Sequence, residues 1–558
     1  MKKVIILLAG LCLSNFASHA TGEKANIKIN WGPDYELPKK HEDLGFFGNP
    51  TDGYVGISHQ RGKDIIVQHF TADLKLTNES EMSMKEFPKN YMIDKIMELD
   101  GKYYIFYSTY DDDEILWCQE LDVKKGEMKG KAKQIANSKN KLSGTLTATG
   151  FYQFQTSNKW KFIQSADKSK LVIWYRLKPK EKKDALNNDV IGFWVFDNKL
   201  SKLWNKDVTM PYTEKMMDNE DYQVDGAGAV YLLGKIYEEG NKDSKDGHPN
   251  YHYELMQYTG SGKSVSAKFD VGEKYVVDAA LIESNKGQII CTGYYSKSKR
   301  TQSSDGVFFF TYDEGSRSMK SVYKGFYEFP NDVIKQFETK RSQKKVDKEE
   351  EDGKDVEVAN LQFRNLDIQD DGSFTLFGEQ YHEVTYTRTN SRGGSTSTTR
   401  YYFDDIYVMR IGADGDMKWV KKIPKRQVDV SQTSYGYGTY MANNFRANTE
   451  YLSFYLHTIG KNNYVFYIDN QKNSALSPDQ LPAAYAAGAR GELICVKIDE
   501  SGNLSKSSVF DFKEEKLRIM INKFNSVTPN QIIGRAYESH GLFQFGFSKG
   551  KALKISVN

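Results

Sequence analysis

One order of apolar and polar positions recurs along the chain. An apolar strand is followed by a short polar turn, a second strand, a variable loop, a third strand, a tight turn and a last short strand. The second strands align as Tyr54-Val55-Gly56-Ile57, Tyr104-Ile105-Phe106-Tyr107, Leu171-Val172-Ile173-Trp174 and Val230-Tyr231-Leu232-Leu233. They continue as Ile289-Ile290-Cys291-Thr292, Phe374-Thr375-Leu376-Phe377, Leu452-Ser453-Phe454-Tyr455 and Ile532-Ile533-Gly534-Arg535. Third strands start at Ile65, Ile115, Val190, Tyr253, Val307, Ile406, Leu493 and Leu542. Asp100-Gly101, Asp371-Gly372, Asp414-Gly415 and Ser501-Gly502 fall between strands, where tight hairpins need left-handed backbone.

A four-stranded antiparallel unit repeated eight times predicts an all-β chain folded as an eight-bladed β-propeller, because each sheet needs neighbours on both faces. The segment Asn26 to Trp31 is expected to pair with the last blade and close the ring. The stretch from Asp371-Gly372-Ser373 to Gly378, then Asp405-Ile406-Tyr407-Val408 to Asp414-Gly415 and Trp419, resembles tandem-repeat secreted bacterial β-propellers. That resemblance implies a fold and no activity. Two packed β domains or a seven-bladed ring are the competing architectures.

In such a sheet, turns joining strands one to two and three to four emerge on one face. Loops joining strands two to three share the other face with the connections between blades. Most of the long insertions fall in this second set, at about 331–358, 382–404 and 460–491, which makes that face the expected place of work. Segment 341–357, dense in Lys, Glu and Asp, reads as a solvated helix or disordered loop, and 474–488 as a short helix. Tyr435, Tyr437 and Tyr440 lie in a Tyr/Gly loop able to offer rings to a partner or to pack between blades. Arg392 sits at the tip of a long polar hairpin, and His248 in a Gly/Pro/Asn loop on the same face. Asp94, Asp221, Asp278, Arg364, Asn444 and Asn522 recur near the start of each first strand, where a ring of polar groups would line the central channel. A wet channel prefers polar walls in any case.

Composition narrows the setting. Aromatics reach 13%, Pro numbers 12, and the formal charge is only +3, which gives no electrostatic reason to expect nucleic acid. Residues 1–20 read as an export signal, with Lys2 and Lys3, an apolar stretch and Ser18-His19-Ala20, leaving 21–558 as one domain. No segment is long and apolar enough to span a membrane as a helix, so an extracytoplasmic location is expected, periplasmic, cell-surface or secreted. Cleavage leaves Cys118, Cys291 and Cys495, each inside an apolar run, which predicts three buried, unpaired thiols. No nucleophile elbow, zinc motif or phosphate loop occurs, so neither cofactor nor metal is expected. The expectation is a non-enzymatic binding scaffold for a protein or glycan. The alternative is a glycan hydrolase using carboxylates at the channel mouth.

Overall fold

Branched and aromatic residues cut at short intervals by Gly and Asp favour hairpins over helices. A computed structural model describes residues 25–558, apart from 39–41, 60–64, 83–90, 110–112, 145, 150–153, 180–183, 241, 263, 270, 300–301, 355, 390–394, 437–438, 446–450, 488, 490, 513–516 and 539–548. The strands form consecutive antiparallel sheets in chain order. The first holds Glu42–Asn49, Gly53–His59, Ile65–Phe70 and Leu76–Met82. The second holds Tyr91–Leu99, Lys102–Thr109, Glu114–Asp122 and Glu127–Ser138. The third holds Lys161–Gln164, Lys170–Arg176, Asn188–Asp197 and Lys202–Thr213. The fourth and fifth begin at Met217–Val224 and Tyr275–Glu283. The sixth contains Leu361–Ile368, Phe374–Thr389, Ser395–Ile411 and Met417–Ile423. The seventh contains Tyr455–Ile459, Asn462–Asp469, Glu492–Ile498 and Leu504–Asp511.

The last sheet is completed from the other end of the chain. Ile27–Glu36, the closing strand, pairs antiparallel with Lys549–Val557, Ile27 opposite Val557. Each apolar cluster lies between one sheet and the next. Ile57 and Tyr107 join the first two sheets, Phe106 and Ile173 the next two, and Phe377 and Val465 the sixth and seventh. Phe46 and Tyr54 pack on Ile533 and Ala552, so the last sheet covers the first. Sheets that cover one another in chain order and return to the start make a β-propeller.

The turn series holds. Asp100, Gly101, Gly372, Gly415 and Gly502 have φ between 51° and 88°, the left-handed region. Turns of the two expected kinds touch one another on one face: Lys461 lies 3.1 Å from Asp371 and 2.6 Å from Glu500. Cys118, Cys291 and Cys495 are buried free thiols in three separate clusters. Burial pushes the Cys118 thiol up to about 12, far from a reactive thiolate.

Several expectations need correction. In the seventh unit, Leu452-Ser453-Phe454-Tyr455 is not the second strand. Ser453 has φ of 67°, the first strand is Tyr455–Ile459 and the second is Asn462–Asp469. Gly460 therefore belongs to a first-to-second turn, and the insertion begins after Asp469. Leu542 lies outside the described residues, and the third strand of the last sheet is Lys549–Val557. Segment 474–488 forms no helix among its described residues. It carries Tyr485–Ala486, paired parallel to Gln427–Gly436. The charged segment 341–357 does carry a helix, as expected: α2 (Lys340–Glu351) follows α1 (Asn331–Lys335), with Thr339 capping α2 through the Ser342 N–H. Val333, Ile334 and Val346 bury the apolar side of this pair on the fifth and sixth sheets. Fully buried Lys422 ties it down, 3.0 Å from both Glu338 and Asp405.

Candidate functional site

The first strands of the third to sixth sheets approach one another in turn, as do those of the first and last, which places them around the axis. Five of them share a bulge: between Asp43 and Gly45, Ile93 and Lys95, Asn219 and Asp221, Val276 and Asp278, and Phe363 and Asn365. A bulge inserts one unpaired residue and re-aims its side chain. The residues so inserted are Leu44, Asp94, Glu220, Val277 and Arg364.

Asp221 and Asp278 act as ties between strands. Asp221 accepts from the N–H of Tyr222 and, on the next sheet, of Leu281, both at 2.8 Å. Asp278 accepts from Phe363 N–H, again one sheet on, at 2.8 Å. Burial raises both carboxyl groups, with these amides opposing it. At the turn end of the channel Glu283 plays the same part. It takes the N–H of Gly226 at 2.8 Å and of Ala166 at 2.5 Å, so one carboxylate holds three consecutive sheets. Asp94 is different: both carboxyl oxygens are buried, and neither takes a backbone amide of a neighbouring sheet among the described residues. Burial holds it well above the carboxylate range, offset only in part by Ser108 and Lys159.

Glu220, absent from the expected ring, keeps much of its surface accessible. Its carboxyl is nonetheless pushed up to about 7, by desolvation first and then by Asp218, Asp278 and Asp243, against Lys235. Accessible surface within dense protein is the environment of a channel wall. Only the bulge between Asn219 and Asp221 reveals it. Asn444 and Asn522 leave the channel set. Asn444 lies on Thr439–Phe445, a strand added to the sixth sheet, and Asn522 in a 3-10 turn, Ile521–Lys523. In the seventh unit the inner strand begins later, at Tyr455, and in the last it is split around Asn522 into Leu517–Ile519 and Asn525–Thr528, both paired to Gln531–Glu538.

Arg364, set out by its bulge, anchors a buried ion network. Its Nε and a terminal nitrogen each lie 2.9 Å from Glu379 Oε2. Glu379 Oε1 is 2.7 Å from Lys425 Nζ, and both of these side chains are fully buried. Ser453 Oγ donates to Glu379 at 2.8 Å, and Lys425 also donates to Phe403 O at 2.9 Å. Gln427 accepts from Ser453 N–H at 2.7 Å and donates to Ile468 O at 2.8 Å. The network fixes the root of an unusual element.

Above that root the sixth sheet continues past the body of the propeller. Phe374–Thr389 and Ser395–Ile411 stay paired up to Thr389 opposite Ser395, and Gln427–Gly436 and Thr439–Phe445 add to their far side. Antiparallel register sorts the projecting part into two faces. One carries Tyr381, Tyr401 and Phe403, which pack at its base on the core between the seventh and last sheets. The other carries His382 opposite Tyr402, Val384 opposite Arg400, Tyr386 opposite Thr398 and Arg388 opposite Thr396, with Val428 and Val430 beside them. His382 and Tyr402 stack at 4.5 Å and 8°. Tyr386 and Val430 are 55% and 40% exposed. At the root of this face Asp404 is pushed up to about 6 by burial and by Asp405.

The segment of Tyr435 and Tyr440 is therefore strand, not loop, while their side chains, with Tyr437 and Arg392, lie outside the described residues. His248 sits apart on the fourth sheet's exposed Ser244–Lys245/His248–Pro249 hairpin, hydrogen-bonded to Glu273. The described residues contain no cluster of His, Cys, Asp and Glu able to hold a metal, and no helix long and apolar enough to cross a membrane.

Fold and site together define a β-propeller with one blade drawn out into a projecting sheet. The sequence matches no protein family or curated protein. Among solved structures it is similar to the WD40 domain of SCAP from fission yeast, at 7% identity and TM-score 0.37, covering 95% of this chain and 94% of that one. It is also similar to prolyl oligopeptidase B from Galerina marginata, at 7% identity and TM-score 0.36, covering 89% of this chain and 55% of that one. A protein of unknown function from Dyadobacter fermentans matches at 8% identity and TM-score 0.27, over 75% of this chain and 99% of that one.

Proposed function

We propose that the protein is an exported binding scaffold on an eight-bladed ring, which offers its loop-rich face to a protein or glycan. Export through the 1–20 leader belongs to this reading. The observation that carries it is the projecting face of the sixth sheet, where exposed Tyr386 and Val430 stand beside Arg388 and Arg400 on a rigid, ion-anchored base. The ties made by Asp221, Asp278 and Glu283 support a structural use for most channel carboxylates. The test is a screen of labelled glycans and peptides against the wild type, R388A/R400A, and a control altered on the turn face at Lys102. Loss of a hit in the double variant alone supports the reading; equal loss in the control rejects it.

Glu220 favours a second reading, glycan hydrolysis. A carboxyl titrating near 7 on a channel wall is suited to act as a general acid. Release of reducing sugar from polysaccharides, abolished by Glu220→Gln, would establish it. No release from any of them would remove it.

A further inference from the structure

Among the described residues, the projecting hairpin has one unpaired backbone edge. Leu361–Ile368 pairs with Phe374–Thr389 only as far as Gln380, and the Tyr381 N–H donates to Asn360 O at 2.8 Å. From His382 to Thr389 no described residue pairs with the outer side of the strand, while the inner side is paired to Ser395–Ile411 throughout. Free edges are usually blunted by Pro, Lys, bulges or short length. Residues 381–389 read Tyr-His-Glu-Val-Thr-Tyr-Thr-Arg-Thr, with none of Pro, Gly or Lys, and a regular register. The side chains are those that favour extended backbone. Thr385 and Thr387 lock the strand to Thr399 and Ser397 through hydroxyl pairs at 2.9 and 2.8 Å, so the edge is held straight before anything binds.

Charge selects what such an edge would take. Arg388 and Arg400 lie on the same face of the hairpin, both exposed, and neither forms an ion pair among the described residues. The carboxylate on that face is Asp404, at the root. A strand laid along 382–389 would set alternate side chains beside Val384, Tyr386 and Arg388, with Arg400 one strand further in, reached across Val384.

We propose that the outer edge of Phe374–Thr389 captures an extended, acidic polypeptide segment of a partner by strand addition, with its carboxylates on Arg388 and Arg400. This deepens the binding reading above and rests on it. An edge that offers amide donors and carbonyl acceptors at every second residue is satisfied along its length by another peptide backbone and only at points by a sugar.

The experiment uses the full chain and fluorescein-labelled nine-residue peptides alternating Thr or Val with Glu. Three controls accompany them: the same peptide with Lys for Glu, the Glu peptide N-methylated at alternate residues, and a polygalacturonate oligomer. N-methylation removes strand-pairing donors and leaves charge and the protein untouched. The expected result is binding of the Glu peptide at least tenfold tighter than the Lys peptide. The N-methylated form should lose at least tenfold, as should the Glu peptide with R388E/R400E of unchanged melting temperature. Equal affinity of the N-methylated and unmodified peptides would overturn strand addition. Binding of polygalacturonate alone, lost in R388E/R400E, would also overturn it while leaving the binding face intact. Failure of every probe, with the double variant indistinguishable from wild type, would overturn both.

Discussion

A fully buried Lys425 is tolerable only because Glu379 and the Phe403 carbonyl surround it. Glu379→Ala should cost about 3–5 kcal/mol, since it leaves a buried ammonium without its counter-charge. The double replacement of Glu379 and Lys425 by Met should recover much of that loss. Urea unfolding of the two variants measures both, and equal destabilisation would show that charge is not the cause. Asp404 gives a pH signature. Its folded pKa, near 6, lies above the unfolded carboxylate value, so the folded state holds the proton more tightly. Its contribution is fully present below about pH 4 and is lost as pH rises through 6. Asp404→Asn should therefore raise stability at pH 8 by about 1–3 kcal/mol and change little at pH 4. A gain of the same size at both pH values would contradict the assignment. Neither group was legible in the sequence. Glu379 and Lys425 are separated by two whole strands, Ser395–Ile411 and Met417–Ile423, and the connections before and between them, and nothing in a linear pattern marks a charge that folding buries.

At the scale of elements, the second strands and tight turns were readable because they obey local rules: branched or aromatic residues buried on both faces, then Asp-Gly. Gly372→Ala tests one such turn. With φ at 88°, the added Cβ should cost about 1–2 kcal/mol in unfolding while binding at the opposite face is unchanged. First strands were read less well, for a physical reason. They approach one another around the axis, and five of them carry bulges that break alternation. In the seventh unit the apolar run at Leu452 was more strand-like than the true first strand, Tyr455-Leu456-His457-Thr458-Ile459. The Tyr/Gly segment misled in the opposite direction. Its Gly and Ser residues signal a loop, yet the neighbouring hairpin supplies a partner strand, and pairing overrides local preference. The two-helix insertion was half legible: its charges foretold a solvated face, and only Val346 and Val333 hinted at the buried one.

Over the whole molecule the repeat itself carried the reading, including the closing strand. Ring closure has a second fastening. Arg535 and Tyr537 of the last sheet both bond to Asp43 of the first, and Asn525 donates to Phe46 O at 2.8 Å. Deleting residues 25–37 should uncover the Lys549–Val557 edge together with Ile555 and Val557. The expected outcome is a lower melting temperature and self-association by size-exclusion chromatography, reversed by a synthetic peptide of the deleted sequence. A monomer of unchanged melting temperature would show the closing strand to be dispensable. The same strand also sets a clock. Ile27 cannot meet Val557 until almost the entire chain has been made, so the contact that completes the structure spans the longest loop available and forms late. Until then the intermediate carries an unsatisfied edge at each end, each able to pair with the wrong molecule. Once shut, the ring gains in the other direction: opening requires the first and last segments of the polymer to separate together, which slows escape from the folded state more than it alters the equilibrium.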